Sequence, residues 1–158
     1  MKKIILAAAL VLGFAVAASA QPRAIGVRVG NGGEVSYQHS LGNNFLEVDG
    51  GLGLGFDGVF NVGATGIYNF MIAQPQWTEK GQWGFYAGPA VKLGYVWIGG
   101  YVAVGAQVGL EYEFEFPLQL SIDIRPVVGL SVEGQSIGIY GADAILGSIP
   151  CLSVRYCF

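Results

Sequence analysis

The chain has 158 residues and a formal charge of −3, with only 12% charged residues, 26 glycines and a mean hydropathy of +0.50. That length suits a single domain. The acidic balance excludes a nucleic-acid-binding surface, which needs clustered basic residues.

The first segment is not part of the fold. Lys2 and Lys3 form a positive start, the stretch from Ile4 to Ala18 is apolar, and Ala18-Ser19-Ala20 is a small-residue cleavage pattern. Residues 1–20 therefore read as a secretory signal peptide, and residues 21–158 as one exported domain. The position after the cut is Gln21, not Cys, so no lipid anchor is indicated. Beyond residue 20 no apolar run is long enough to form a membrane helix.

From there on the hydrophobic period is two, the period of β-strands. Eight strands are predicted, over 24–29, 33–40, 45–54, 59–72, 83–98, 101–115, 118–130 and 145–158. Gly30-Asn31-Gly32, Gly42-Asn43, Phe56-Asp57-Gly58 and Gly99-Gly100 supply hairpin chemistry between them. A two-residue turn at Gly99-Gly100 sets Lys92 opposite Gln107. A three-residue loop Phe116-Pro117-Leu118 sets Glu111 opposite Asp123, with Arg125 one diagonal step away. Pro89, Pro126 and Pro150 fall inside predicted strands. Each lacks a ladder donor, so bulges or strand ends are expected there.

Sorting the strands by parity separates two chemistries. One face carries residues such as Val27, Val35, Val48, Val62, Leu93, Val104, Leu120, Ile122 and Val154. The other carries Arg28, Glu34, Glu47, Asp49, Lys92, Glu111, Glu113, Asp123, Arg125 and Arg155, together with many glycines; the remaining charges fall in turns or at strand ends, and none falls on the apolar face. Too few charges exist to coat a soluble exterior. The pattern fits an all-β, transmembrane, antiparallel up-and-down barrel of eight strands, apolar outside and polar within. A closed barrel leaves no unpaired strand edge in lipid. Aromatic residues near strand ends, among them Tyr37, Tyr68, Trp77, Trp83, Trp97, Tyr101 and Tyr112, are expected in an interfacial girdle.

The chain ends in CLSVRYCF. Leu152, Val154, Tyr156 and Phe158 share one face, and Phe158 is the final residue. This resembles the C-terminal assembly signal of bacterial outer-membrane proteins. The whole exported chain is similar to the small OmpX/OmpA-type barrels. The stretches GGEVSYQHSL, FLEVDGGLGL, GLEYEFEFPLQLSIDIRP and LSVRYCF are similar to a family of mostly uncharacterised outer-membrane β-barrel proteins. The resemblance implies an outer-membrane location, contact with outer-membrane lipid and lipopolysaccharide, and the barrel-assembly machinery as a partner during biogenesis. It transfers no catalytic residue. One departure concerns the connections: the first three outer ones are short, only 131–144 is long, and the inner connection between 73 and 82 is long as well.

The charged residues of the polar face read as a salt network filling the lumen, because an eight-stranded barrel is just wide enough to be packed by side chains. The inward glycines make room for the long ones. Cys151 and Cys157 are six residues apart on one strand, roughly 20 Å, too far to form a disulfide, and read as lumen fillers. His39-Ser40 invites comparison with a lipid-acting Ser/His pair, but neighbours on a strand point to opposite faces. No catalytic residue, cofactor or metal site is assigned, and a monomer is expected. The expected role is structural or interactive within the envelope. The alternatives are a small pore or transporter and, behind it, a lipid-modifying enzyme.

Overall fold

A computed structural model describes residues 21–30, 32–54, 60–96, 99–133, 136–141 and 149–158. The expected signal peptide, the turns at Asn31 and Asp57, and Trp97 lie outside the described residues. Ten strand segments follow one another: β1 (Pro22–Val29), β2 (Gly32–Leu41), β3 (Asn44–Leu54), β4 (Phe60–Ala73), β5 (Gln82–Val96), β6 (Gly99–Glu113), β7 (Leu118–Ile124), β8 (Val127–Glu133), β9 (Ser136–Tyr140) and β10 (Cys151–Cys157). No helix occurs among the described residues.

Each of β1 to β6 pairs antiparallel with the next, and β10 closes the ring by pairing with both β7 and β1. The result is a closed, eight-stranded up-and-down barrel. Ten segments make eight strands because the last two strands are each in two pieces. β7 and β8 hold one register against β6, with Val108 opposite Ile124 and Gly105 opposite Val127. They are interrupted at Arg125-Pro126, where proline has no N–H to give the ladder. The Pro126 carbonyl still accepts from the Ala106 amide at 3.2 Å.

The faces separate as alternation predicts. Along β10 the burial pattern is strictly alternating: Cys151, Ser153, Arg155 and Cys157 are buried, while Leu152, Val154 and Tyr156 are exposed. The same holds around the ring. Val27, Val35, Leu52, Val62, Leu93, Val102, Val104, Val108, Ile122 and Leu130 are exposed, while Gln38, Glu47, Asp49, Asn69, Gln107, Asp123 and Arg155 are withdrawn from solvent. The polar residues form the core and the aliphatic ones form the outer wall. Each exposed aliphatic forgoes about 1.5–3 kcal/mol of burial in water, and water-soluble monomers rarely present such a continuous apolar surface.

Several sequence expectations need correction. β5 and β6 pair Val96 with Gly99, so Lys92 faces Ala103 and Gln107 faces Gly88. The slip from the expected register is even, so the faces are preserved. Glu111 lies opposite Ser121, and Asp123 opposite Gly109. The connection below them runs from Phe114, whose amide donates to the Leu118 carbonyl at 2.9 Å. The turn is thus Glu115-Phe116-Pro117, one residue earlier than expected, and that moves the pairing by two. Pro89 makes neither a bulge nor an end. It sits on the exposed face within β5, and the β4 ladder passes from Ile67↔Ala90 to Phe70↔Ala87 in one register. The expected 131–144 loop is largely strand. Ser131 belongs to β8, which forms a hairpin with β9 through Glu133↔Ser136, and 142–148 lie outside the described residues. The last strand begins at Cys151 after Pro150; its expected start at 145 lies outside the described residues.

The end carrying Gln21, Phe158, the Gly42-Asn43 turn, residues 74–81 and the Glu115–Pro117 turn is called the lower end below.

Candidate functional site: the charged lumen

The lumen is built from the alternate residues of every strand, and its centre is Glu47 on β3. One carboxylate oxygen of Glu47 accepts from Gln38 Nε2 at 3.0 Å, Gln107 Nε2 at 3.3 Å and Asn69 Nδ2 at 3.4 Å. The other accepts from Arg155 at 3.0 Å and Arg125 at 3.2 Å. The donors come from β2, β6, β4, β10 and the β7–β8 junction, so one carboxylate is gripped from most of the way round the barrel.

Arg155 makes four such contacts. Besides Glu47 it donates to Ser36 Oγ at 2.9 Å, Ser121 Oγ at 2.7 Å and Gln119 Oε1 at 3.3 Å. The guanidinium fork suits several acceptors at fixed angles, and here it ties the closing strand to β2, β3 and β7. Arg125 bonds Gln107 Oε1 at 2.6 Å, pairs with Asp49 and lies 3.6 Å from Glu34. Arg28 bridges Asp123 at 2.5 Å and Glu34 at 2.7 Å. Glu34 therefore links the Arg28 and Arg125 groups.

Nearer the lower end Glu111 is paired, not with Asp123, but with Arg23. Arg23 also donates to Gln38 at 2.8 Å, and its guanidinium lies 4.3 Å from the Phe45 ring centroid. Gln119 donates to Glu111 at 3.2 Å. Arg23 was not among the sequence candidates: it precedes the first predicted strand, 24–29, and alternation continued back from Arg28 points it outward. A register shift between Pro22 and Ala24 turns it inward, a one-residue bulge that hydrophobic periodicity does not reveal.

The other candidates sit at the margins of the cluster. Glu113 is on the lumen face one step below Glu111, opposite Gln82 and Gln119. Lys92 lies high in the lumen, its Nζ 6.0 Å from the Tyr101 ring centroid. Tyr101 itself corrects the girdle expectation. It faces inward, is 4% exposed, and stacks on Tyr140 with centroids 4.1 Å apart and planes 3° from parallel. Its ring lies over Gly94, where a Cβ would come within 2.6 Å of Cζ.

The cysteines are both buried, on the lumen face of β10. His39 is on the outer face, its Nδ1 3.1 Å from the Tyr37 hydroxyl, and Ser40 is on the lumen face with Gln38 and Ser36. The two do not converge. Among the described residues no group of three or more His, Cys, Asp and Glu is placed to hold a metal ion. The carboxylates that converge in the lumen are already engaged by guanidinium and amide donors, so the arrangement is that of a cross-linking network.

Trp77, Trp83, Tyr112, Phe114 and Phe116 form a chain on the outer side near the lower end. Ring centroids lie 5.5 Å apart for Trp77 and Trp83, 4.7 Å for Trp83 and Tyr112, 4.7 Å for Tyr112 and Phe114, and 4.9 Å for Phe114 and Phe116. Tyr156 and Phe158 pack with ring centroids 5.7 Å apart, and Tyr156 shares the outward face of β10 with Leu152 and Val154. No protein-family model matches the chain, and neither a curated protein nor a solved structure matches it.

Proposed function

We propose that this chain is an integral β-barrel protein of the bacterial outer membrane with a structural or surface-interaction role in the envelope. It would be exported through the general secretory pathway and assembled as a monomer by the barrel-assembly machinery, its wall set in lipid and lipopolysaccharide. The observation that carries the reading is the inverted partition of the barrel. Its wall is aliphatic from β1 to β10, and its centre is a connected set of charges and amides. Hydrocarbon is the solvent in which that wall has the lower free energy, and a strand of about 9–11 residues spans it. β3 to β6, at 11, 14, 15 and 15 residues, are long enough.

The rival reading, a small pore or transporter, needs a continuous water path past Arg125. The Glu47 layer works against that, since its donors arrive from strands on opposite sides of the ring. A lipid-modifying enzyme would need a converging nucleophile and base, and His39 and Ser40 face apart. The reading is tested by folding the exported chain into phospholipid vesicles. Flotation with the vesicles, protease resistance and a folded form that migrates faster than the heat-denatured form on a gel are expected, with no stepwise conductance in planar bilayers. A chain that stays in the aqueous fraction overturns the membrane reading. Reproducible conductance steps overturn the structural role in favour of the pore.

A further inference from the structure

The barrel is not equally tall on all sides. β5 and β6 are 15 residues each, while β1 has 8 and β10 has 7. All four are tied to one lower rim. The Phe158 amide donates to the Arg23 carbonyl at 3.1 Å, the Cys157 amide donates to the Pro117 carbonyl at 3.3 Å, and Gln82 lies opposite Glu113. The difference in length therefore appears at the upper end. There β1 and β2 stop early. Val29 opposite Gly33 is the last β1 pair, and the Gly30 amide donates to the Gly32 carbonyl at 3.1 Å. β5 and β6 run on to Val96 opposite Gly99.

In a barrel strand tilted by about 40°, each residue climbs roughly 2.5 Å. The outward apolar run of β1, from Ile25 to Val29, thus covers roughly 13 Å, and that of β10, from Leu152 to Tyr156, covers the same. On β5 the run from Phe85 to Leu93 covers roughly 23 Å, close to the apolar band of about 25 Å expected of a barrel in a bilayer. The short side is bare. Val27, Val29 and Val35 are 54%, 53% and 59% exposed. Above them the side ends in glycine, and Gly33 faces outward with nothing within 4 Å of where its Cβ would stand. Bare backbone at this height is strongly unfavourable in hydrocarbon, where unpaired N–H and C=O groups find no partner. Tilting the barrel does not lengthen the belt, because it raises one end of the short side by sinking the other. A belt shorter than the hydrocarbon draws the headgroups toward it.

We propose that the β10–β1–β2 side is a membrane-thinning surface. There the upper leaflet dips until its headgroups meet Gly30, Gly32 and Gly33, while beside β5 and β6 the bilayer keeps its full thickness. The inference rests on the membrane reading and adds a partner to it, a phospholipid bilayer thinned along one side. Between Ile25 and Val29, and between Leu152 and Val154, the outward side chains are aliphatic, with no polar group to select a protein partner, so acyl chains cover them.

The test attaches nitroxide labels to cysteines introduced on the outer wall of the full exported barrel, folded into palmitoyl-oleoyl phosphatidylcholine vesicles. Depth is read from collisions with oxygen, which concentrates in hydrocarbon, and with a water-soluble nickel chelate. Wild-type protein treated alike gives the background from the buried Cys151 and Cys157. Val29 ends the 8 residues of β1, and Val91 lies at a comparable height within β5. Val91→Cys should report hydrocarbon. Val29→Cys should report the headgroup level, with a nickel-to-oxygen collision ratio several-fold higher, and so should Tyr156→Cys at the foot of the same side. A chain that does not float with vesicles defeats the membrane reading itself. A chain that floats with the Val29 and Val91 labels equally deep overturns the thinning alone. Headgroup level at Val29 with hydrocarbon at Tyr156 would mean that the barrel tilts as a rigid body, and overturns it too. A lengthened hairpin supplies the second check. Inserting Ser-Val-Ser-Val after Val29 and Val-Ser-Val-Ser before Gly33 adds outward valines to both strands and keeps their parity. That change should carry the Val29 label into hydrocarbon, and a label that stays among the headgroups counts against the proposal.

Discussion

Arg155 on β10 donates to Glu47 on β3 at 3.0 Å, and neither side chain has any exposed surface. The residues are 108 apart in sequence, so the contact exists only once the last strand has closed the ring. Removing one partner of such a pair leaves the other charge buried and undercompensated, which costs about 3–5 kcal/mol. Arg155→Met is therefore expected to lower stability by about 3 kcal/mol, read as a shift of the denaturant midpoint in detergent micelles or vesicles. Adding Glu47→Gln to that variant should recover about 1 kcal/mol or more, because the stranded charge is gone. A double variant no better than Arg155→Met would mean the two residues are not coupled.

Arg125 tests the network from the other side of Glu47. It touches Gln107, Asp49, Glu34 and Glu47, so Arg125→Ala removes a cation that faces three carboxylates. A loss of about 3 kcal/mol or more is expected, with earlier loss of the folded gel band on heating. An Arg125→Ala barrel as stable as wild type would show that water or ions substitute for the guanidinium, and the lumen would then be open.

The division of wall from lumen was legible in the sequence because it depends only on parity, which survives any even slip in register. Lys92 and Gln107 were expected opposite each other and are not, yet both face inward as expected. Partners were not legible, because register is set by turn lengths. Moving the turn at Pro117 by one residue exchanged Asp123 for Ser121 opposite Glu111, and no periodicity marks that choice. Arg23 escaped for a related reason. A single bulge at the start of β1 reverses parity locally and brings a guanidinium to Glu111 that alternation assigns to the wall. Tyr101 was read by residue type, as an aromatic near a strand end, when its odd number already placed it with Gln107 and Glu111. The 74–81 segment carried no periodic signal, and its position against Trp83 and Tyr112 follows from side-chain contacts alone.

The Arg23–Glu111 pair offers a check on the bulge. Arg23→Ala, Glu111→Gln and the double variant form a cycle whose coupling energy is expected at about 1–3 kcal/mol. A coupling near zero would place Arg23 outside the lumen and make β1 regular from its first residue.

Gly109 faces Tyr86 across the lumen side of β5 and β6. A Cβ there would overlap the tyrosine ring, with Cε2 at 2.6 Å. Tyr86 is fully buried and packs edge-on against Phe45 at 5.3 Å, so it has little freedom to retreat. Gly109→Ala should cost about 1–3 kcal/mol by overpacking. Combining it with Tyr86→Leu should cost less than the sum of the two single changes, since the shortened side chain makes room for the methyl. Strict additivity would mean the glycine is needed for its backbone and not for the ring.

The solvent outside the wall is the last quantity to test, and it has a depth profile. Val104 lies midway along β6, is 57% exposed, and faces outward beside Val91 and Val128. Phe116 is also exposed, at 56%, but lies in the turn at the lower rim. In water, arginine at either place is nearly neutral. In a bilayer, Val104→Arg should cost about 2–4 kcal/mol and Phe116→Arg only about 0–1, because charge is expensive near the midplane and tolerable at the interface. Folding each variant into vesicles and measuring the denaturant midpoint separates the cases. Equal, small effects at both positions would mean that the aliphatic wall of this barrel does not face hydrocarbon.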